Sequence, residues 1–252
     1  MRNKRIRIKS PDDIKRIRDA GVIIAEIFAK LSSSSLAGLS TWETDLMIDS
    51  MIVKRKGRAA FKTVPGYSAA SCISINDEVV HGIPSKKKKI RSGDLVKIDI
   101  GVVLNGYFGD ACRTFAVGRV PDGAKNLAEA TRQALEKAIA VMVPGGRIGD
   151  IGHAIQVHAE TRGYSVVRNY TGHGVGFALH ESPVVPHYGK KGTGMILEPG
   201  MVLAVEPMIN EGGHGVRLLD DGWTAVTADG SLSAHWEHTI AVTVSGPEIL
   251  TI

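Results

Sequence analysis

LVKIDIGVVLNGYFGDACRTFAV, running from Leu95 to Val117, consists of two β-rich segments on either side of Asn105-Gly106. Asn-Gly is the strongest short-range signal for a two-residue hairpin turn, because both residues tolerate a positive φ. With that turn as the loop, paired residues have numbers that sum to 211, which sets Asp99 opposite Cys112 and Gly101 opposite Asp110. Asp99 and Asp110 then project from one face as diagonal neighbours, with backbones about 7–8 Å apart. Two carboxylates converging there repel each other unless one is protonated or a cation sits between them. Two divalent ions about 3.5–4 Å apart are the spacing expected of a two-metal hydrolytic site. A bulge at Gly101 or Gly109 would spoil this parity.

Outward from the hairpin, the chain has the order helix, helix, strands, twice over. Ser10 as N-cap, Pro11 at the first helical position and Ile14, Ile17, Gly21, Ile24 and Phe28 at helical spacing predict a first helix ending in the Ser32 to Ser35 run. A second is expected from Thr41 to Lys56 with Gly57 as its stop. Residues 70–76 are β-rich, helices return at about 122–142 and 148–162, and strands and loops follow. Gly57 and Gly163 end helices in the two halves, and Gly93 and Gly200 precede apolar segments that align as Leu95-Val96-Lys97-Ile98-Asp99 and Val202-Leu203-Ala204-Val205-Glu206. Each half thus ends an apolar strand in an acid six residues after its glycine, and such an acid needs a partner for its charge. The pattern predicts an α+β fold: one domain over residues 10–252, with pseudo-repeats at about 10–120 and 121–252 lining a shared cleft.

The second half supplies Glu206 and Glu237, the latter expected inside a strand from His235 to Val244, and between the halves lies Tyr170-Thr-Gly-His173-Gly-Val-Gly176. Asp99, Asp110, His173, Glu206 and Glu237 make four carboxylates and one imidazole, a donor set suited to Mn(II), Fe(II), Co(II) or Zn(II). Taken singly, each has an ordinary explanation: a local hydrogen bond for His173, a solvated edge-strand acid for Glu237, packing for Cys112. The repeat is what joins them, since Asp99 and Glu206 are matched by position alone.

Composition bounds the remaining choices. The chain has 252 residues, a formal charge of +5, 43% apolar residues and 29 glycines. No apolar run is long enough for a membrane span, and the basic N-terminus lacks the apolar stretch of a signal peptide. Two cysteines make no disulfide framework, so a reducing, cytoplasmic location is expected. Residues 1–18 hold eight basic and two acidic side chains, so the excess charge belongs to this segment. Residues 1–9 are expected to form a solvated basic arm, and Lys86 to Lys89 a solvated loop.

The segments His81-Gly-Ile-Pro84, Asp99 with Asp110, Thr171-Gly-His-Gly-Val-Gly176, His180-Glu181, Glu198-Pro-Gly200, Glu206-Pro-Met208 and Trp236-Glu237-His238 resemble those of type I methionine aminopeptidases, in order and spacing from Ser10 to the C-terminus. The resemblance implies the pita-bread fold, a curved antiparallel sheet between two pseudo-symmetric halves, and a dinuclear metal centre that removes the initiator methionine from nascent chains when the second residue is small. It implies that Asp99 binds one ion, that His173 and Glu206 bind the other, and that Asp110 and Glu237 bridge both. It further implies that Glu206 moves the proton of a water and that His81 and His180 flank the scissile peptide. Phe61, Tyr67, Cys72, Leu179 and Trp223 match positions of the methionine pocket. Nascent polypeptide N-termini are the expected partners, with ribosomal RNA contact through the basic arm as a secondary feature; no membrane or DNA partner is expected, and the chain should be a monomer. The contrary expectation is a pita-bread binding module on ribosomes that has lost its ligands, and the presence of all five ligand positions and both histidines argues against it. Prolidase-like relatives need an extra N-terminal domain and type II relatives a helical insertion, and the chain has room for neither.

Overall fold

The computed structural model describes residues 6–252. Asn105 and Gly106 both take positive φ, 51° and 85°, and join the strands Leu95–Leu104 and Tyr107–Ala116 in a ladder of ten pairs without a bulge. Asp99 pairs with Cys112 and Gly101 with Asp110. The other edge of Leu95–Leu104 carries Cys72–Ile75 and then the short strand Arg58–Ala59. The second half holds a five-stranded sheet, in the order 246–249, 238–243, 202–205, 172–174 and 181–185, with the three-stranded sheets 233–235, 208–210, 165–166 and 216–218, 225–227, 78–80 beside it.

The four-stranded and the five-stranded sheet are each backed by a helix pair. Helices α1 (Pro11–Ser32) and α2 (Thr41–Lys54) cover the first, where Ile23, Ile24, Ile27 and Phe28 pack with Val96, Ile98, Ile100 and Val102. Helices α3 (Asp122–Ala140) and α4 (Ile148–Glu160) cover the second through Leu127, Ile151, Leu203, Val205 and Val242. In the strand 95–104 the even-numbered side chains therefore face helices, so period-two alternation turns Asp99 away from them. Glu206 follows Leu203 and Val205 and is out of phase with them in the same way. The two halves are stitched along the hairpin's outer strand: Thr239 Oγ1 donates to Asp110 O and accepts from Asp110 N, and Glu237 N donates to Cys112 O at 2.9 Å.

Ser10 and Asp13 form a capping box at the start of α1, and Ser40 and Glu43 another at α2. Close approach explains two glycines: a Cβ on Gly21 would lie 2.0 Å from Leu250 O, and one on Gly109 would meet the backbone of Gly21 at 3.2 Å. Helix α2 ends two residues before the expected Lys56, because Lys56 turns to φ 60° and Gly57 N bonds Ile52 O. The expected strand from His235 to Val244 is broken, with Ser233–His235 and His238–Thr243 flanking Trp236 and Glu237. Glu237 is drawn out of the ladder by its bond to Cys112 O and is buried, not an exposed edge residue.

The expected solvated arm needs correction at Ile6 and Lys9, while Arg7 and Ile8 stay exposed. Ile6 packs against the second core, Lys9 is buried with its ammonium 2.6 Å from Glu181 Oε2, and Arg7 stacks on Phe177. An ion-pair partner replaces water around Lys9, whereas Arg7 stays more than half exposed beside its aromatic face. Arg2, Lys4 and Arg5 of the same segment lie outside the described residues. In the 86–89 loop, Lys88 bonds Glu78 and Lys89 pairs with Glu43, so half of that cluster is neutralised within the chain.

Candidate metal centre and substrate cavity

A cavity of about 970 Å³ opens where the two sheets meet, and Asp99, Asp110, His173, Glu206 and Glu237 all line it. Asp99 and Asp110 come from the hairpin, His173 from the strand Gly172–Gly174, Glu206 from just past Val202–Val205, and Glu237 from the break after Ser233–His235. The four carboxylates are between 2% and 8% exposed. Asp110, His173 and Glu237 bring ligand atoms within 4.8 Å of one another. His173 Nε2 lies 3.3 Å from Glu206 Oε1 and 3.9 Å from Asp110 Oδ2. On the other side of the ring, Nδ1 is 3.0 Å from Gly174 O. Nδ1–H donating to that carbonyl leaves the Nε2 lone pair facing the carboxylates, the tautomer a metal-ligating histidine needs.

The electrostatics ask for a cation. Burial pushes the Asp99 carboxyl well above the usual range, and the charges of Asp110 and Glu206 add to this. Burial raises Asp110 to about 7. Glu206 and Glu237 are also raised, by burial first and then by Asp110. Burial lowers His173 to about 3, so its imidazole is neutral and cannot compensate the acids. Asp99 Oδ1, Asp110 Oδ1 and Glu237 Oε1 are buried with no hydrogen-bond donor. Among the described residues no Lys or Arg pairs with any of these four acids. Four desolvated carboxylates, three of them with an oxygen that no donor reaches, are a costly arrangement. Oxygen-rich ligation of divalent ions with one imidazole removes that cost, so the residues present fit such a centre.

Beside the carboxylates lies an apolar recess, and strand register fixes the adjacency, since Cys72 is the ladder partner of Asp99 on the edge opposite Cys112. Phe61, Tyr67, Cys72 and Trp223 line the cavity here. Tyr67 meets Trp223 edge-on at 5.1 Å and Phe61 at 6.1 Å, and its hydroxyl donates to Ser71 O. Leu179 packs in the same cluster without being among the lining residues. Burial raises the Cys72 thiol, with the Asp99 charge adding to the effect, so it stays protonated.

His81 and His180 line the same cavity. His81 is held at φ 60° and sits edge-on to Tyr170, and burial, with the nearby His180, lowers it to about 4. The His180 ring is 4.5 Å from that of His173, and burial lowers its pKa too. Both rings are therefore neutral hydrogen-bonding groups.

Three participants escaped the sequence reading. His235 is buried with Nε2 unpartnered, 3.9 Å from Glu206 Oε2. Its position two residues before Glu237 was the available signal. Glu181, next to His180, and Arg7, for which the sequence carries no signal, also line the cavity.

The chain matches the model of metallopeptidase family M24 over residues 15–244. It is 44% identical over 245 residues to a methionine aminopeptidase of Clostridium acetobutylicum, covering 97% of this chain and 98% of that one. It is 45% identical over 243 residues to methionine aminopeptidase 1 of Bacillus subtilis, covering 96% and 98%. The crystal structure of a methionine aminopeptidase from Thermotoga maritima superposes with a TM-score of 0.96 at 45% identity, over 98% of this chain and 99% of that chain. The two sheets with their helix pairs are thus the pita-bread fold, and the chain belongs to metallopeptidase family M24, among the methionine aminopeptidases.

Proposed function

We propose that this chain is a dinuclear metalloaminopeptidase that removes the N-terminal methionine from nascent proteins and peptides whose second residue is small. One observation carries the reading: four buried, uncompensated carboxylates and a neutral imidazole converge on a cavity whose adjoining wall is an apolar, aromatic recess. Asp99, Asp110, His173, Glu206 and Glu237 would hold two divalent ions. Bound there, the ions would lower the pKa of a water so that hydroxide is available near neutral pH and would polarise the methionyl carbonyl. Glu206 accepts the proton of that water and passes it towards the leaving amine. Neutral His180 donates a hydrogen bond to the oxyanion that develops at the carbonyl, and His81 hydrogen-bonds the amide nitrogen of the bond being cut. The recess of Phe61, Tyr67, Cys72 and Trp223, with Leu179 packed behind it, takes the unbranched thioether side chain.

The free, buried thiols of Cys72 and Cys112 suit a reducing compartment, and among the described residues no helix is long and apolar enough to cross a membrane. Both fit work in the cytoplasm on chains leaving the ribosome. With Lys9 buried on Glu181, contact with ribosomal RNA falls to Arg2, Lys4, Arg5 and the exposed Arg7.

The test is to strip the protein with chelator and reload it separately with Mn(II), Fe(II), Co(II) and Zn(II), measuring metal content and hydrolysis of Met-Ala-Ser and Leu-Ala-Ser. Two ions per chain and turnover of the methionyl peptide are expected, with Asp99→Ala losing both. Full turnover by an Asp99→Ala sample whose metal content has been measured would refute the site, and saturation at one ion would refute the dinuclear centre.

A further inference from the structure

His180 stands at the end of Val175–His180, six residues without helix or strand that bridge the strands Gly172–Gly174 and Glu181–Val185. A side chain on an irregular segment is placed only as firmly as the contacts beneath it. Phe108 N–H donates to Gly176 O at 2.7 Å, and Glu181 supplies the side-chain contacts. Its Oε1 accepts from Phe177 N at 2.7 Å and Ala178 N at 2.9 Å, closing the segment back on itself. Its Oε2 accepts from Lys9 Nζ at 2.6 Å, and the two side chains are only 2% and 6% exposed.

Lys9 is itself fixed. Its backbone N–H donates to Gly200 O at 2.8 Å, and Ser10, which caps α1, follows it directly. Its stem packs against the segment: Gly176 takes φ 141°, and a Cβ there would lie 2.8 Å from Lys9 Cε. Arg7 stacks 4.0 Å from the centre of the Phe177 ring. A buried pair is a committed contact, because removing one partner leaves the other charge desolvated and alone. Residues 7–9 are thereby locked to a segment whose neighbouring position carries a substrate-facing imidazole.

We propose that Lys9, through its buried ion pair with Glu181, is a positioning residue for His180. This rests on the role given to His180 above. The pair holds Gly176–His180 in the form that aims the imidazole into the cavity, so its loss shows in the chemical step more than in methionine binding.

The experiment is a kinetic cycle on the metal-loaded enzyme with Met-Ala-Ser, using Lys9→Met, His180→Ala and both together. Misplacing a reacting group by a fraction of an ångström to an ångström lowers kcat by about tenfold to a hundredfold, and Lys9→Met should do so with little change in KM. In the His180→Ala background the same replacement should cost nothing further. In the metal-free protein, amide exchange at Phe177 and Ala178 should speed up in Lys9→Met while the central strand 95–104 keeps its protection. Should Lys9→Met not fold, Glu181→Gln takes its place in the cycle, since it keeps a carbonyl oxygen for those two amides and removes the charge that seats Lys9. Losses that multiply in the double variant, or an unchanged kcat in Lys9→Met, overturn the proposal while leaving the aminopeptidase reading intact. Full activity in His180→Ala alone overturns the role of His180 and the proposal with it.

Discussion

Asp110→Asn should make the metal-free protein more stable, and by an amount that depends on pH. The substitution keeps the shape of the side chain and removes a charge that burial resists: the Asp110 carboxyl is raised from 3.8 to about 7. Because the folded value lies above the unfolded one, the native state binds the extra proton between them. The stability this lends is full below about pH 4, falls as pH rises towards 7 and is gone above it. Across that interval the loss comes to about 4 kcal/mol. This is an upper limit, since Asp99, Glu206 and Glu237 share the repulsion and relax when Asp110 is neutral. The buried histidines act in the opposite sense: His81 at about 4 and His173 at about 3 are lowered by burial, so they add stability as pH rises through the acid range. They are present in both proteins and largely cancel in the difference. Urea denaturation followed by tryptophan fluorescence, in chelator at pH 4.5 and pH 8, should show Asp110→Asn gaining on the parent at the higher pH. Adding divalent ion at about 1,000 times its dissociation constant stabilises the parent by about 4 kcal/mol and the variant by less, which offsets the variant's advantage. A stability difference identical at both pH values, or an equal gain from metal in both proteins, would refute the argument that these carboxylates are held apart from water for a cation.

Two other substitutions probe the recess and the frame. Trp223→Ala removes the edge-on partner of Tyr67 and should lower kcat/KM for methionyl peptides by about tenfold to a hundredfold, mainly through KM; unchanged steady-state constants would take Trp223 out of the substrate wall. Gly21→Ala puts a methyl group against Leu250 O and should destabilise the protein by about 1–3 kcal/mol in thermal or urea unfolding, with metal stoichiometry unchanged. A variant as stable as the parent would mean that α1 can move off the C-terminal strand.

The hairpin was legible because one dipeptide sets its register and period-two alternation then assigns every side chain to a face. The helix starts were legible from their caps, and the second acid of the repeat from spacing alone: Gly93 to Asp99 and Gly200 to Glu206 repeat a distance that ends with both acids on one cavity. Boundaries were less so. Whether α2 stops at Lys54 or Lys56 depends on a left-handed residue, and the break at Glu237 depends on a bond to Cys112, 125 positions earlier in the chain.

What the sequence concealed shares one physical property, that its energy is tertiary. Lys9 reads as one more cation in a basic run, because nothing local distinguishes a solvated ammonium from one sealed against a carboxylate 172 residues away. The difference appears only when α1 and the second sheet meet, and it changes what the charge does. A solvated lysine at this position contributes to long-range attraction, which salt screens, whereas a buried one fixes the geometry of the segment it touches and is screened far less. His235 follows the same logic, marked locally only by its nearness to Glu237 and acquiring a neighbour in Glu206 through the folded chain. Acids laid out on a regular ladder, as Asp99 and Asp110 are, can therefore be found by counting, while the groups that steady an irregular segment such as 176–180 have to be found by contact, and they are the ones whose replacement separates positioning from ligation.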